Sequence, residues 1–241
     1  MIPLQLAGNA LLLWLAYRWL WIGEGTASEL LWSAVVALAI AAASCWMQGA
    51  AFAYFGSAKR QLRPALSGAL RNVLPLLVAA IALAALYFLL YQSSGWSARP
   101  AFRIASYLTM KLRKPVKPSS VLRWFQAAIW LMEWMVVPVL VLPMMAGIAA
   151  RGWAGFRDFG ARVRNWLYWI ETPALALLAF WVPFRLYDWV PRTHSFGMEM
   201  TSFVLRIGVG YLLLVGAWLA LVFVTSAGTP RFTQSKTAVS P

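Results

Sequence analysis

The sequence predicts an all-α integral membrane protein, folded as a polytopic bundle of about six transmembrane helices. Of the 241 residues, 62% are hydrophobic and 12% are charged, and the mean hydropathy is +0.68. Soluble domains are about 45–50% apolar and about 25% charged, so this composition excludes a soluble globular domain and a disordered chain. The sequence also contains long apolar segments separated by polar connections, as expected for several membrane-spanning helices.

Six apolar segments are long enough to cross a bilayer, because a helix of about 20 apolar residues spans roughly 30 Å of hydrocarbon. They run approximately over residues 3–22, 30–55, 73–91, 124–148, 166–186 and 202–225. No Lys or Arg precedes Arg18, so we interpret the first segment as a retained helix rather than a secretory signal. Residues 1–228 are expected to form one transmembrane domain, followed by a polar C-terminal tail at 229–241.

The long connection at residues 92–120 is basic and contains several prolines. Phe102, Ala105, Leu108 and Leu112 would share one face of a helix, which is typical of a segment lying in the membrane interface. The alternation of apolar and polar residues later in the connection fits a strand equally well. A solvated basic loop is the third interpretation.

Two shorter connections, residues 56–72 and 151–165, resemble each other. Both space arginines and apolar residues as a short amphipathic helix would, and both end in Arg-Asn immediately before an apolar span. The pattern favours two repeated helical hairpins whose basic elbows face the same side of the membrane. Chance similarity is the alternative.

The net charge of +14 comes from 21 Lys and Arg against 7 Asp and Glu. Because the basic residues lie between apolar spans, we expect them to contact anionic lipid headgroups, at about 1 kcal/mol each near the surface, and not nucleic acid. The predicted lipid contacts are Lys59, Arg60, Arg63, Arg71, Lys111, Arg113, Lys114, Lys117, Arg157, Arg162 and Arg164.

The basic residues do not decide the orientation in the membrane. With the N terminus inside, the inner connections and tail hold ten Lys and Arg, and the outer loops hold nine. We favour an inside N terminus because both basic elbows then face the cytoplasm. The compact loops and the Ala-, Leu- and Trp-rich spans are typical of a multi-pass protein of a bacterial inner membrane.

Glu133, Glu171 and Gln48 are polar residues within the predicted spans. An ionised carboxylate near the bilayer centre costs about 2.5–3.5 kcal/mol on insertion scales. One hypothesis is that the three residues line a polar cavity for a proton, a cation or a lipid headgroup. The alternative is that a protonated Glu133 hydrogen-bonds to a neighbouring helix and Glu171 extends towards Arg164. Pro173 is expected to disturb the fifth span.

Small residues recur every four positions along the second span and predict a surface for close helix packing. This stripe consists of Ser33, Ala37, Ala41, Cys45, Gly49 and Ala53. We expect it to contact other helices of the same chain, with a homodimer or another membrane subunit as the alternative partner.

No motif fixes a chemistry. The single Cys45 excludes an internal disulfide and, with the single His194, leaves no Cys/His metal cluster, so we expect no cofactor and no metal. The P-loop, the GxSxG elbow and the HExxH pair are all absent from the sequence. The favoured function is a scaffold or accessory subunit of a membrane complex. The alternatives are a small transporter lined by Glu133 and Glu171, and a lipid-modifying enzyme that uses the basic face and His194.

Overall fold

The computed structural model describes residues 1–23, 25–189 and 195–227, and within these ranges every regular element is a helix. Two π-helical segments and one 3₁₀ helix stand between the α-helices. The α-helices are α1 (Ile2–Trp19), α2 (Ala27–Gly56), α3 (Leu62–Arg71), α4 (Val73–Trp96), α5 (Ala98–Leu112), α6 (Pro118–Leu131), α7 (Val137–Arg151), α8 (Tyr168–Ala176), α9 (Val182–Asp188) and α10 (Phe196–Ala227). The predicted polar tail lies outside the described residues.

Four helical segments in the described ranges are long and apolar enough to cross a membrane: α2, α4, the run Pro118–Asp158 and α10. They make this chain an all-α membrane protein. The other two predicted spans also lie in helices. Segment 3–22 corresponds to α1, which has 18 residues, and segment 166–186 corresponds to α8 and α9 with the π-helical segment between them. Neither is among the four.

Glu29, one of the few acidic residues, has a structural role at the start of α2. The Thr26 hydroxyl accepts a hydrogen bond from the backbone N–H of Glu29 at 3.2 Å, and the Glu29 carboxylate accepts from the backbone N–H of Thr26 at 3.0 Å. This reciprocal capping box satisfies two N–H groups that the first helical turn leaves unpaired. Such caps stabilise a helix by about 0.5–2 kcal/mol.

The helices α4 and α5 run antiparallel to α6 and α7 as one long pair. Near one end, Asn72 donates to the carbonyl of Ala149 at 3.0 Å. Further along, the Tyr87 hydroxyl donates to the carbonyl of Glu133 at 2.8 Å. At the far end, α5 packs on α6 through Ala101, Ala105 and Val121. These contacts fix the relative depth of residues on the two rods.

The bundle is most extensively packed at the end where α2 and α7 finish, which we call the elbow end. The largest buried cluster there joins α2, α4, α7 and α10. It consists of Ala51, Phe52, Leu76, Ala79, Leu142, Ala146, Ile148, Ala149, Val215, Leu219, Leu221 and Val222. Only 11% of the most apolar stretch of α2 is buried, against 44% for the run Pro118–Asp158. Most buried residues of α2 lie between Met47 and Phe52, near the elbow end.

The two basic elbows, which the sequence suggests are repeats, fold differently. The first is α3, which lies along α2 and is held by a 2.9 Å hydrogen bond from the Trp46 indole to the carbonyl of Leu66. The second is a 3₁₀ helix, Gly152–Asp158, followed by turns to residue 167. In the second elbow, Gly155 permits a close backbone approach to α7, whereas the first elbow forms a full amphipathic helix. The structures of the two elbows therefore do not confirm the predicted repeat of the hairpin.

The connection at 92–120 is mainly helical, so the strand interpretation is wrong. Residues 92–96 complete α4, and α5 follows after a break at Ser97. Ala105 is buried against α6 and Leu108 is half-buried, while Phe102 and Leu112 remain exposed. Part of the predicted apolar face thus covers α6, and part is open.

A close backbone contact holds the second elbow against α7. A Cβ atom on Gly155 would overlap backbone atoms of Gly147 and Ile148. We therefore expect Gly155→Ala to lower the free energy of unfolding by about 1–3 kcal/mol, the usual cost of overpacking. The readout is the unfolding temperature in mild detergent.

The matched control is Gly216→Ala, because no atom lies within 4 Å of the position that its Cβ would take. This helical substitution should leave stability unchanged or raise it slightly. Equal unfolding temperatures for the two variants would contradict the close contact.

Candidate functional site

A chain of amide side chains joins α1, α2 and α10 close to the elbow end. Gln5 donates to the carbonyl of Met47 at 2.9 Å, and Asn9 donates to the Gln5 side-chain oxygen at 3.0 Å. Gln48 donates to the Asn9 oxygen at 2.9 Å and accepts from the Trp218 indole at 2.7 Å. We call Gln5, Asn9, Gln48 and Trp218 the amide network. Each of the three amide groups is paired within the protein.

The amide network contains no titratable group, and Gln5 is fully buried. A satisfied polar chain of this kind can sit in an apolar environment, because no donor is left without a partner. A further bond, from the Tyr211 hydroxyl to the carbonyl of Leu6, reinforces the contact between α1 and α10. The network therefore fastens the N-terminal helix to the bundle.

The two π-helical segments, Met132–Val136 and Leu177–Trp181, have the same sequence context. Each is followed by Val-Pro, at Pro138 and Pro183 respectively. Proline lacks an N–H group, and its ring clashes with the carbonyl four residues earlier in an α-helix. Widening the turn by one residue relieves that clash, and the N–H of the residue after each segment bonds to the carbonyl five residues before it.

Glu133 lies in the first π-helical segment. In this geometry its carbonyl would pair with the N–H of Pro138, which does not exist, and the Tyr87 hydroxyl takes that place at 2.8 Å. The half-buried Glu133 carboxylate is close enough to Tyr87 to interact with it electrostatically. Within the described part of the chain, this carboxylate has no hydrogen bond or ion pair.

The two π-helical segments meet through one aromatic contact. The rings of Trp134 and Phe180 have centroids 6.1 Å apart and are tilted by 53°. Two widened turns in neighbouring helices therefore lie at the same depth, beside an intramembrane carboxylate. We call this arrangement, with Tyr87, the π-bulge pair. Single π turns occur often at functional sites, and this is the candidate functional site.

The second elbow is anchored by a separate cluster at the end of α10. Arg162 donates to the carbonyl of Val224 at 2.6 Å and lies 5.2 Å from the centroid of the Tyr168 ring. Tyr168 is fully buried, and its hydroxyl lies 3.1 Å from that of Thr225. We call these four residues the elbow cluster. Burial lowers the pKa of the Arg162 guanidinium, and the nearby Tyr168 and Glu171 act in the opposite direction.

Arg162 therefore differs from the other predicted lipid contacts. Its guanidinium is half-buried and held by protein groups, whereas the remaining ten basic residues are exposed. From the sequence, a long basic side chain in an amphipathic elbow is predicted to contact lipid headgroups. Here the fold turns it inward onto a helix C terminus, where unpaired carbonyls attract a cation.

The structure does not bring Gln48, Glu133 and Glu171 together. Gln48 belongs to the amide network, and Glu133 lies beside Tyr87, several turns nearer the other end of the bundle. Glu171 is exposed on α8, near Arg162. The disturbance that we expected in the fifth span does not occur at Pro173 itself. Pro173 is accommodated inside α8, and the helix widens only at the next π-helical segment.

The small-residue stripe of α2 has different surroundings along its length. Ser33 is buried and accepts a 2.9 Å hydrogen bond from the Trp19 indole of α1. A Cβ on Gly49 would meet Leu76 of α4 at 2.5 Å. Between these intramolecular contacts, Ala41 is exposed. The two ends of the stripe pack within the chain, and its middle is open.

Sequence reasoning missed Gln5 and Asn9. The available signal was a pair of amides four residues apart in an otherwise apolar segment, which places both on one helix face. It also missed the Val-Pro pair at Pro183. His194 lies outside the described residues. In the described ranges, no three His, Cys, Asp or Glu side chains are grouped as metal ligands would be.

Replacing Gln48 with Met would leave the Asn9 oxygen and the Trp218 indole without their partner. We expect Gln48→Met to lower the free energy of unfolding by about 0.5–1.5 kcal/mol, within the range of hydrogen bonds between membrane helices. Titration with a denaturing detergent measures the change. Gln126→Met is the matched control, because Gln126 is exposed on α6, and equal effects would argue against the network.

Comparison with known proteins does not assign a role to these residues. No protein-family model matches the chain, and no match is found among curated proteins or among solved structures. The fold class, an all-α membrane protein, is what the chain itself establishes.

Proposed function

We propose that this protein is a scaffold or accessory subunit of a membrane complex. The observation that carries the proposal is the exposure of most of α2 in the α1–α2 hairpin. Its elbow end is fastened by the amide network, but the rest of α2 is largely uncovered, with 11% of its most apolar stretch buried. Leu31 and Trp32, for example, are 68% and 60% exposed.

The uncovered face of α2 is suited to another helix rather than to lipid alone. Ala37 is half-buried and Ala41 is exposed, and both belong to the small-residue stripe. Acyl chains pack equally well on large apolar side chains, whereas small residues four apart let a second helix backbone approach closely. The proposed partner is a transmembrane helix, from another subunit or from a second copy of this chain.

The proposed topology has six spans, in a bacterial inner membrane with the N terminus inside. Two contacts support a span for α1: the amide network at one end and the Trp19–Ser33 hydrogen bond at the other. The composite of α8 and α9 likewise extends from the elbow cluster to the contact of Tyr187 with Gly210. The six exposed basic residues predicted as lipid contacts in the two elbows are then available to anionic headgroups.

A single substitution on each side of α2 tests the partner surface. We expect Ala41→Leu to lower the amount of partner retained by about fivefold or more, because overpacking a helix interface costs about 1–3 kcal/mol. Native purification in mild detergent, followed by mass spectrometry of the intact complex, gives the partner-to-protein ratio.

The control is Ala39→Leu, which adds the same bulk to an exposed position on the opposite face of α2. Purification of the wild-type protein as a lone monomer would refute the proposal. So would equal retention of the partner by the two variants.

A second function, proton or cation transport, is favoured by the π-bulge pair. A carboxylate inside an apolar span is expensive and is usually retained for a function. Glu133 lies in a widened turn, next to a hydroxyl and to a second widened turn. A group in that position can take up and release a proton as the two helices shift.

Under this second function, Glu133→Gln should reduce cation or proton flux in proteoliposomes by roughly tenfold or more, because the amide cannot carry the proton or the charge. Glu199→Gln is the control, since Glu199 is an exposed carboxylate in the first turn of α10. Absence of flux in the wild-type protein, or equal flux in both variants, would remove the transporter from consideration.

A further inference from the structure

An open depression of about 490 Å³ lies where α4 passes into α5. Its lining consists of Trp96, Arg99, Pro100, Arg103 and Ile104. Arg99 and Arg103 are four residues apart, so their guanidinium groups project from the same side of α5, one turn apart. Both side chains are exposed.

The positive charge around this depression has no counterpart nearby in the sequence. No Asp or Glu occurs between Glu29 and Glu133, whereas residues 98–123 contain seven Lys and Arg. Within the described residues, neither Arg99 nor Arg103 forms an ion pair. The two exposed guanidinium groups are therefore available to an anionic group of another molecule.

The position of the depression at the end of a membrane-spanning helix favours a lipid headgroup as the ligand. Trp96 ends the membrane-spanning helix α4 and is 69% exposed, and indole rings at span ends collect at headgroup level. Arg99 and Arg103 follow within two turns. The α5–α6 hairpin begins there, and α5 packs on α6 through Ala101, Ala105 and Val121. In a bilayer that α4 crosses, a Trp96 ring at headgroup level places the base of this hairpin beside the lipid phosphates.

The tip of the hairpin lies away from the depression. A 15-residue helix such as α5 is about 22 Å long, so the basic residues near its far end do not line the depression. They are Lys111, Arg113, Lys114 and Lys117. Base and tip carry similar charge, but the depression is formed at the base.

We propose that Trp96, Arg99 and Arg103 form a binding site for the phosphate of an anionic phospholipid. The two planar guanidinium groups hold the headgroup oxygens, since arginine pairs with phosphate through parallel hydrogen bonds. The indole ring covers the glycerol region below. The proposal rests on α4 crossing the membrane, and it holds whether the protein is a scaffold or a transporter.

The test compares two double substitutions that each remove two positive charges. Full-length protein is placed in nanodiscs of phosphatidylcholine with phosphatidylglycerol, extracted gently, and examined by native mass spectrometry for retained lipid. We expect the wild-type protein to retain phosphatidylglycerol in preference to phosphatidylcholine. Arg99→Gln with Arg103→Gln should lower that retention roughly tenfold or more, at about 1 kcal/mol per basic residue.

Lys111→Gln with Lys114→Gln is the control, and it should retain phosphatidylglycerol within about twofold of the wild-type level. Equal losses in the two double variants would mean diffuse attraction and would overturn the site. Equal retention of the two lipids by the wild-type protein would also overturn it. Arg99→Lys with Arg103→Lys keeps the charge but removes the planar donors, and intermediate retention is expected. Retention by this variant as low as with glutamine would contradict a phosphate held partly by charge.

Discussion

A backbone polar group inside hydrocarbon has no water to bond with, and this constraint accounts for most of the fold. The described chain is helical throughout its regular elements, which pairs the backbone internally. Where Pro138 interrupts the pairing, the helix widens and the Tyr87 hydroxyl bonds to the freed carbonyl of Glu133. Where amide side chains enter the bundle, they close on one another and on the Trp218 indole. Most polar groups in the described interior are therefore paired, and the exceptions include the Glu133 carboxylate and one guanidinium nitrogen of Arg162.

Stability and openness are divided between the two ends of the bundle. At the elbow end, alanines and glycines let four helices approach closely, and Gly155 brings the second elbow into backbone contact with α7. Close packing of this kind is the main attraction between helices in lipid, where no hydrophobic force operates between them. At the other end a smaller cluster joins α5 to α6, and many aromatic and basic side chains are exposed. The tightly packed end holds the structure, which leaves the opposite end available for lipid or protein partners.

The sequence predicts the positions of the helices well, because apolar length is a local property that needs no knowledge of neighbours. The sequence does not give the direction in which each side chain points around its helix axis. Gln48, Glu133 and Glu171 could therefore be assigned to one cavity from the sequence, but they lie in three different environments. Long-range contacts decide such cases. The similar elbows differ because Gly155 fits against α7, and Arg162 turns inward because the end of α10 lies beside it.

The π-helical segment Met132–Val136 also sets the rotational register of a whole helix. It holds one residue more than an α-helix of the same rise would need. Since each residue advances an α-helix by about 100°, that extra residue determines which side of α6 faces α5, and so whether Val121 meets Ala101 and Ala105. Loss of one residue here would leave every side chain of α6 intact and turn its contact surface away. The orientation of the outer hairpin is thus encoded by chain length in the middle of the membrane.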